Sequence, residues 1–257
     1  RIRTDLQKHA ILHKRFLHEA KVTGRLVHPS IIPVYSIYND DEGLYYTMPY
    51  IQGDTLKSIL RGARRREKEG LTPDPVGGSI PALMRIFLHV CEAVAYAHSR
   101  GVIHRDIKPE NVIVGEYGEV FIFDWGLAKA FEDAENESYE GIAIAEPSSH
   151  TRLGKVVGSV SYMAPERGRG APAQPSTDIY SLGVMLYQLL TLHLPFTRNS
   201  LRDFLETMDD EVFVDPITVS PYREISRMLA SIAERCLAAD VKDRYTTVNA
   251  LIDDIKK

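Results

Sequence analysis

Residues 111–124 carry a pattern of apolar residues that strongly limits the fold of this chain. The stretch NVIVGEYGEVFIFD places two short apolar runs on either side of the Gly-containing turn GEYG, a pattern typical of a β-hairpin. Asn111 opens the first predicted strand and Asp124 follows the second, so strand pairing brings both side chains to the open end of the hairpin. Two oxygen ligands side by side predict a Mg²⁺ site, since that ion binds a few carboxylate or carbonyl oxygens together with phosphates and water.

The loop that leads into this hairpin has the sequence HRDIKPEN, which offers Asp106, Lys108 and Asn111 within six residues. Phosphoryl transfer needs a group that orients the attacking hydroxyl, metal ions held against the phosphates, and charges that neutralise the transferring group. An isolated Asp in a loop is usually a turn former. However, the five specified residues of H-R-D-x-K-x-x-N recur by chance in a chain of this length with a probability of roughly 10⁻⁴. The pattern therefore favours a phosphoryl-transfer site over a plain turn.

The bulk composition is that of an ordinary globular protein, with 44% hydrophobic and 26% charged residues. A net charge of −4 and a pI near 6.2 disfavour nucleic acid as the main partner. The longest apolar run, LGVMLYQLLT, is shorter than the roughly 18 residues of a membrane span, so we expect no span in this segment. Cys91 and Cys236 both fall in apolar helical patterns, which indicates core thiols in a reducing cytosol.

The remaining patterns divide the chain into a small first part and a larger, helical second part. Helices are predicted over 7–26, 81–100 and 178–191, and strands over 31–38 and 43–51. The polar segment 61–80 is predicted to be a Gly/Pro-rich insertion. Its basic run Arg64–Arg66 is predicted to be a solvated loop face, with a docking patch as the alternative. The acidic segment 131–153 is predicted to be a long mobile loop. Glu19 lies on the apolar face of the first helix, where a carboxylate is costly unless it finds a partner.

In order along almost the whole chain, these motifs resemble those of a eukaryotic-type bacterial Ser/Thr protein kinase. HRDIKPEN resembles the catalytic loop, DWG at 124–126 resembles the DFG triplet with Trp in place of Phe, and APE at 164–166 matches intact. TMPYIQG resembles the hinge between two lobes, and segments such as RFLHEA and HPSIIPVYSI indicate a bacterial member. The implied fold is α+β and two-lobed. Residues 1–51 would form an N-lobe that lacks its Gly-rich loop and strand Lys, and 52–257 a mainly helical C-lobe with inserts at about 61–80 and 131–153.

The resemblance also implies roles for individual residues. The implied catalytic residues are Asp106 as the base, Lys108 as a γ-phosphate contact and Glu19 as the partner of the strand Lys. The implied metal ligands are Asn111 and Asp124, and the implied ATP-binding residues are Met48, Pro49, Ile51 and Ile113. The residues implied in regulation or in the substrate loop are Arg105, Thr151 and Ser159, and those implied in structure are Glu166 paired with Arg244, and Asp178.

The resemblance implies ATP and Mg²⁺ or Mn²⁺ as cofactors. It implies proteins with Ser/Thr acceptors as partners, among them a second copy of the chain acting in trans. Lys108, two residues after Asp106, is typical of the members that phosphorylate Ser and Thr. The implied location of this segment is the cytoplasm, and membrane association of a longer protein stays open.

Two parts of the family pattern are expected before the first helix: the Gly-rich loop and the strand Lys, which lies roughly 17–20 residues before the helix Glu. Counting back from Glu19 reaches about the residue before Arg1, so we expect the chain to be a fragment with little turnover alone.

Two alternatives remain open, a kinase-fold scaffold and a small-molecule phosphotransferase. The retained metal ligands argue against the first alternative. The APE segment with Arg244 argues against the second, because it builds a platform for protein substrates.

Overall fold

The computed structural model describes residues 10–40, 43–72, 74, 77–125, 129–130 and 160–257. The helices in these ranges are α1 (Ala10–Thr23), α2 (Leu56–Lys68), α3 (Ile80–Ser99), α4 (Pro165–Gly168), α5 (Pro175–Thr191), α6 (Leu201–Thr207), α7 (Pro216–Val219), α8 (Arg227–Cys236) and α9 (Val248–Ile255). The strands are β1 (Ser36–Asp40), β2 (Gly43–Thr47), β3 (Gly53–Thr55), β4 (Val102–Ile103), β5 (Val112–Gly115), β6 (Val120–Ile122) and β7 (Lys129–Ala130). The predicted loop 131–153, with Thr151, lies outside the described residues, as does Ser159.

The first part of the chain is a helix that packs on a two-stranded sheet. Strands β1 and β2 pair antiparallel, with Ser36 opposite Thr47. The ring of Phe16 on α1 stacks on the ring of Tyr46 on β2, with ring centroids 4.8 Å apart. From α2 onward the chain is mostly helical. The structure thus confirms the predicted α+β class, with a small N-lobe sheet and a mostly helical C-lobe.

Helix α2 is longer than the sequence patterns suggested. The segment from residue 61 onward was predicted to be a polar insertion, but the helix continues to Lys68, so the prediction is wrong for 61–68. Leu60 and Ala63 are buried on one face of α2, and Arg, Lys and Glu on the other face are good helix formers. Thr55 caps the helix by accepting a hydrogen bond from the Ser58 amide at 3.2 Å. The basic run Arg64–Arg66 therefore belongs to a helix and not to a loop.

Helices α3 and α5 form the centre of the core. Nearly every side chain of α5 is buried, as the apolar pattern of 178–191 predicted. By length and composition α3 could also cross a membrane, but it packs on α5 and α9 and much of it is buried in this fold. Its apolar character is therefore explained by the core. Cys91 on α3 and Cys236 on α8 are buried free thiols, and burial raises the pKa of both, which keeps them protonated and inert.

Gly183 on α5 is required by the close approach of α8. A Cβ atom at this position would lie 2.5 Å from the Cβ of Cys236 and 3.2 Å from the Cγ of Leu237. We therefore expect Gly183→Ala to lower the free energy of unfolding by about 1–3 kcal/mol, the usual cost of overpacking. Urea unfolding measures this change. Gly62→Ala on α2 is the matched control, since its Cβ would meet nothing within 4 Å. It should stabilise the chain by up to about 1 kcal/mol through helix propensity. Equal effects of the two substitutions would contradict the packing argument.

The predicted hairpin is present, and a third strand pairs with its outer edge. Strands β5 and β6 pair antiparallel, with Val112 opposite Ile122. On its outer side β5 pairs with β3, where Thr55 lies opposite Ile113. The Phe123 amide donates to the Asn111 carbonyl at 3.1 Å, so the pairing extends to the open end of the hairpin. This end therefore has a fixed backbone next to the loop 104–111.

Candidate active site

Asp178 on helix α5 anchors the backbone of the loop that carries Asp106. Its Oδ1 accepts a hydrogen bond from the Arg105 amide at 2.8 Å, and its Oδ2 accepts one from the His104 amide at 2.9 Å. The same Oδ2 lies 2.8 Å from His98 Nε2. Burial alone would raise the pKa of Asp178, but the contacts with His98 and the backbone amides outweigh it and hold the pKa below 3.8. An ionised, fully buried carboxylate thus holds the turn in which Arg105 adopts φ 72°.

The loop brings the three polar residues of its motif into direct contact. Lys108 Nζ lies 2.5 Å from Asp106 Oδ2. Asn111 Nδ2 donates to the Asp106 carbonyl at 2.9 Å and to Asp106 Oδ2 at 3.2 Å. The side chains of Asp106 and Lys108 are 11% and 12% exposed, so the pair is shielded but still reachable. The geometry presents an oriented carboxylate beside a cation.

Asn111 and Asp124, the predicted metal ligands, lie at the open end of the hairpin. Both hydrogen bonds that the Asn111 side chain donates leave from Nδ2, so its Oδ1 is the atom that can bind a cation. Asp124 follows β6 and adopts φ 63°, a left-handed conformation that is uncommon for a residue other than Gly and is often found at functional sites. Within the described residues, no three His, Cys, Asp or Glu side chains cluster as metal ligands. An amide oxygen and a carboxylate suit a hard divalent cation that takes its other ligands from phosphate and water.

Trp125 is buried behind the loop, as expected for a large apolar ring in place of Phe. It is 1% exposed, and its ring lies 4.5 Å from the ring of His104 between centroids. The His104 Nε2 and Trp125 Nε1 atoms have no hydrogen-bond partner among the residues that the structure describes. Burial lowers the pKa of His104, so this imidazole is neutral. The contact packs Trp125 against the loop 104–111.

Glu19 on α1 points toward the same site from the N-lobe. Its Oε1 accepts a hydrogen bond from the Tyr46 hydroxyl at 3.1 Å. Burial raises the pKa of Glu19, and the negative charge of Asp124 raises it further, while the bond from Tyr46 acts in the opposite direction. In the described part of the chain, Glu19 forms no ion pair with a Lys or Arg. Its carboxylate therefore lies within electrostatic reach of a second negative charge, that of Asp124.

This raised pKa predicts a pH-dependent effect of Glu19→Gln. Because the folded pKa exceeds the unfolded value of about 4.5, folding favours the protonated form. The stability that this form provides is complete below the unfolded pKa and is lost as pH rises through the folded pKa. We expect Glu19→Gln to raise the free energy of unfolding at pH 7, and the gain to disappear below pH 4.5. Urea unfolding across this pH range measures the gain, and Glu234→Gln, at an exposed position, is the control. A gain that is independent of pH would contradict the electrostatic cause.

Glu166 and Arg244 form the pair that the family pattern implies. The Arg244 Nη1 and Nη2 atoms donate to Glu166 Oε1 and Oε2, both at 2.8 Å. The Arg244 side chain is fully buried, and its Nε donates to the Ala238 carbonyl at 2.7 Å. The pair ties α4, which carries the APE motif, to the segment before α9.

The residues implied in adenine binding lie at the junction of the two parts of the chain. Met48 and Pro49 follow β2 directly, and Ile51 precedes β3. Met48 is 41% exposed and Ile51 is half-buried. Ile113 lies on β5 with its side chain half-buried. Of these residues, Ile113 belongs to the hairpin that carries Asn111, and Ile51 precedes the strand β3 that pairs with it.

Two features of this region were missed in the sequence. Tyr46, which binds Glu19, has the pattern of an ordinary strand residue, and only the alternation along β2 indicates its face. Arg198 gives no signal in the sequence, because an Arg in the polar stretch TRNS usually lies in solvent. Its side chain is instead fully buried, against Glu211 and the segment Val160–Met163.

The sequence is similar to known proteins along its whole length. Residues 2–254 match the protein kinase domain family. The whole chain is 54% identical to the Ser/Thr-protein kinase PknD of Protochlamydia amoebophila, of which it covers 26%. It is 45% identical to PknD of Chlamydia abortus and 42% identical to PknD of Chlamydia pneumoniae, covering 27% of each. The chain thus spans about a quarter of the length of these relatives. The match confirms the prediction, drawn from segments such as RFLHEA and HPSIIPVYSI, of a bacterial kinase similar to chlamydial PknD. The chain belongs to the protein kinase domain family.

Proposed function

We propose that this chain is the catalytic domain of a protein Ser/Thr kinase, which transfers the γ-phosphoryl group of ATP to Ser or Thr hydroxyls of proteins. The observation that carries the proposal is the Asp106 carboxylate, which lies 2.5 Å from Lys108 Nζ in a loop anchored by Asp178. The match of the whole chain to about a quarter of proteins named Ser/Thr-protein kinase supports the same activity. The activity of the longer protein, and transfer to a second copy of it, are part of the proposal.

The roles of the loop residues follow from their chemistry. Asp106 accepts the proton of the acceptor hydroxyl, and Lys108 places a positive charge beside the transferring group. Asn111 and Asp124 would hold Mg²⁺ or Mn²⁺, which neutralises the phosphate charge when it is bound. Glu19 provides the carboxylate that would hold a Lys against the phosphates. These roles are supported by the contacts of Asp106 with Lys108 and Asn111, and by the electrostatic influence of Asp124 on Glu19.

The nucleotide would lie between the junction and the hairpin. We propose that the backbone of Pro49–Ile51 binds the adenine edge, since Pro49 loses no needed donor if only its carbonyl is used. Met48 and Ile113 would border the base. We place this domain in the cytoplasm, where ATP is available and the thiols of Cys91 and Cys236 stay reduced.

Regulation by phosphorylation is a second part of the proposal. Arg105 directly precedes Asp106, and an Arg at this place can bind a phosphate carried by a nearby loop. We propose Thr151 as the phosphorylated residue and Ser159 as a contact of Asp106 and Lys108. Phosphopeptide mapping of the active protein tests this assignment. Phosphate found nowhere in 138–159 would contradict it.

Phosphate transfer by the full-length protein tests the proposed function. The protein is incubated with labelled ATP, Mg²⁺ and dephosphorylated casein, and the label is assigned by phosphoamino acid analysis. Label on Ser and Thr, lost with EDTA and restored by Mg²⁺ or Mn²⁺, is the expected result. A protein that binds ATP but labels neither casein nor itself would support the scaffold alternative. Label on a small metabolite alone would support the alternative of a small-molecule phosphotransferase.

A further inference from the structure

Arg198 lies between α5 and α6, and its guanidinium is buried although an Arg side chain normally reaches solvent. The side chain is 0% exposed. Taking a guanidinium out of water is costly unless every donor is satisfied and the charge is balanced. The contacts of Arg198 therefore indicate what this arrangement achieves.

Every N–H group of Arg198 has a defined acceptor nearby. Nε and Nη2 donate to the two carboxylate oxygens of Glu211, both at 2.6 Å. Nη2 also donates to the Tyr180 hydroxyl at 2.8 Å, and the guanidinium lies 4.2 Å from the centre of the Phe204 ring. The remaining nitrogen, Nη1, donates to the carbonyls of Val160 at 3.1 Å and Met163 at 2.7 Å.

The segment that receives these bonds, residues 160–163, directly precedes the APE motif. Its other contacts also come from side chains: Ser181 Oγ donates to the Tyr162 carbonyl at 2.8 Å, and the Tyr162 hydroxyl lies 2.5 Å from Gln188 Oε1. Burial raises the pKa of Tyr162, and the charge of Glu110 on the catalytic loop raises it further, so Tyr162 lies within electrostatic reach of that loop. Asp178, which anchors the loop of Asp106, and Ser181, which binds the Tyr162 carbonyl, lie one turn apart on α5, so the segment adjoins that loop.

Stability alone does not require this arrangement. Replacing a buried ion pair by apolar residues of similar volume is often neutral or stabilising. The ion pair instead fixes the local geometry, because Glu211 orients the planar guanidinium and the guanidinium in turn fixes the positions of two backbone carbonyls. Helix α5 contributes Tyr180, Ser181 and Gln188 to the same arrangement. The same helix carries Asp178, which anchors the loop of Asp106.

We propose that Arg198 and Glu211 form a clamp that positions residues 160–163 as a platform for the acceptor protein. Arg198 is then a positioning residue for transfer to protein, and it acts on the acceptor without touching the nucleotide site. The inference rests on the proposed function. The inference goes beyond that function by naming two residues, Arg198 and Glu211, that position the segment on which the protein acceptor binds.

The test compares Arg198→Lys with Arg202→Gln in the full-length protein. Lys keeps the charge but has only three N–H donors, whereas Arg198 makes five hydrogen bonds in a planar arrangement. Arg202 is the matched control, since it forms an exposed pair with Glu206 and its side chain is 88% exposed. If Arg198→Lys does not fold, Arg198→Met combined with Glu211→Leu removes both charges and leaves no unpaired carboxylate.

Two measurements decide the outcome. Hydrogen exchange of the Met163 amide, which donates to the Val160 carbonyl at 3.1 Å, should become faster in Arg198→Lys and stay unchanged in Arg202→Gln. Transfer to dephosphorylated casein should fall by about tenfold or more, while hydrolysis of ATP by water stays within about twofold, since only acceptor positioning is lost. A merely structural role would lower both reactions together.

Each result has a separate meaning for the clamp and for the kinase activity. Unchanged exchange at Met163, or an equal fall in casein transfer and ATP hydrolysis, would overturn the clamp. If the wild-type protein labels neither casein nor itself, the proposed function fails. The exchange measurement then still decides whether Arg198 holds the segment.

Discussion

Replacing Asp106 by Asn should remove phosphoryl transfer by the full-length protein and leave its fold intact. Asn has nearly the same shape as Asp, and its side-chain oxygen can still accept the hydrogen bonds from Lys108 and Asn111. It cannot accept the proton of the acceptor hydroxyl, and general-base catalysis typically contributes about 10²–10⁴-fold. We therefore expect kcat to fall by at least about two orders of magnitude, measured as label transferred to casein.

The controls for Asp106→Asn separate chemistry from binding and folding. The affinity for ATP and the melting temperature should stay close to those of the wild-type protein, because the backbone of the loop is held by Asp178 and not by Asp106. Asp54→Asn, at an exposed position on β3, makes the same chemical change away from the site and should leave kcat unchanged. A normal kcat in Asp106→Asn would show that another group takes the proton.

The parts of the site that are close in sequence could be predicted, because local geometry dictates them. Asp106, Lys108 and Asn111 lie within six residues, so any tight loop brings them together. The short turn between β5 and β6 places Asn111 near Asp124 whatever the rest of the chain does. For these local elements, the spacing of the apolar residues and the Gly-containing turn were sufficient to predict the structure.

The parts that depend on distant segments could not be worked out from patterns alone. Glu166 and Arg244 are 78 residues apart, and only the family resemblance indicated that they meet. Arg198 gave no signal, since a polar stretch such as TRNS is typical of a solvated loop, and its burial depends on Phe204 and Glu211. For a related reason, the sequence pattern predicts too early an end for helix α2. The basic run Arg64–Arg66 is typical of a loop, although Ala63 continues the buried face of the helix.

Breaking the pair between Glu166 and Arg244 should cause the largest loss of stability of any substitution considered for this chain. Arg244 is buried, and besides Glu166 it binds the carbonyls of Ala238 at 2.7 Å and Ser176 at 3.2 Å. Glu166→Ala leaves this cation without its counter-charge. Removing one partner of a buried pair typically costs about 3–5 kcal/mol.

Such a loss is a large fraction of the roughly 5–15 kcal/mol that stabilises a typical domain. Urea unfolding of Glu166→Ala, Arg244→Met and the double variant measures it, and the double variant should lose clearly less than the sum of the two single losses, because the partners interact directly. The exposed pair of Arg202 and Glu206 is the control, and Glu206→Ala should cost less than about 1 kcal/mol. Additive losses in the double variant would show that the two residues stabilise the chain independently. The link between α4 and the segment before α9 would then rest on packing and not on the ion pair.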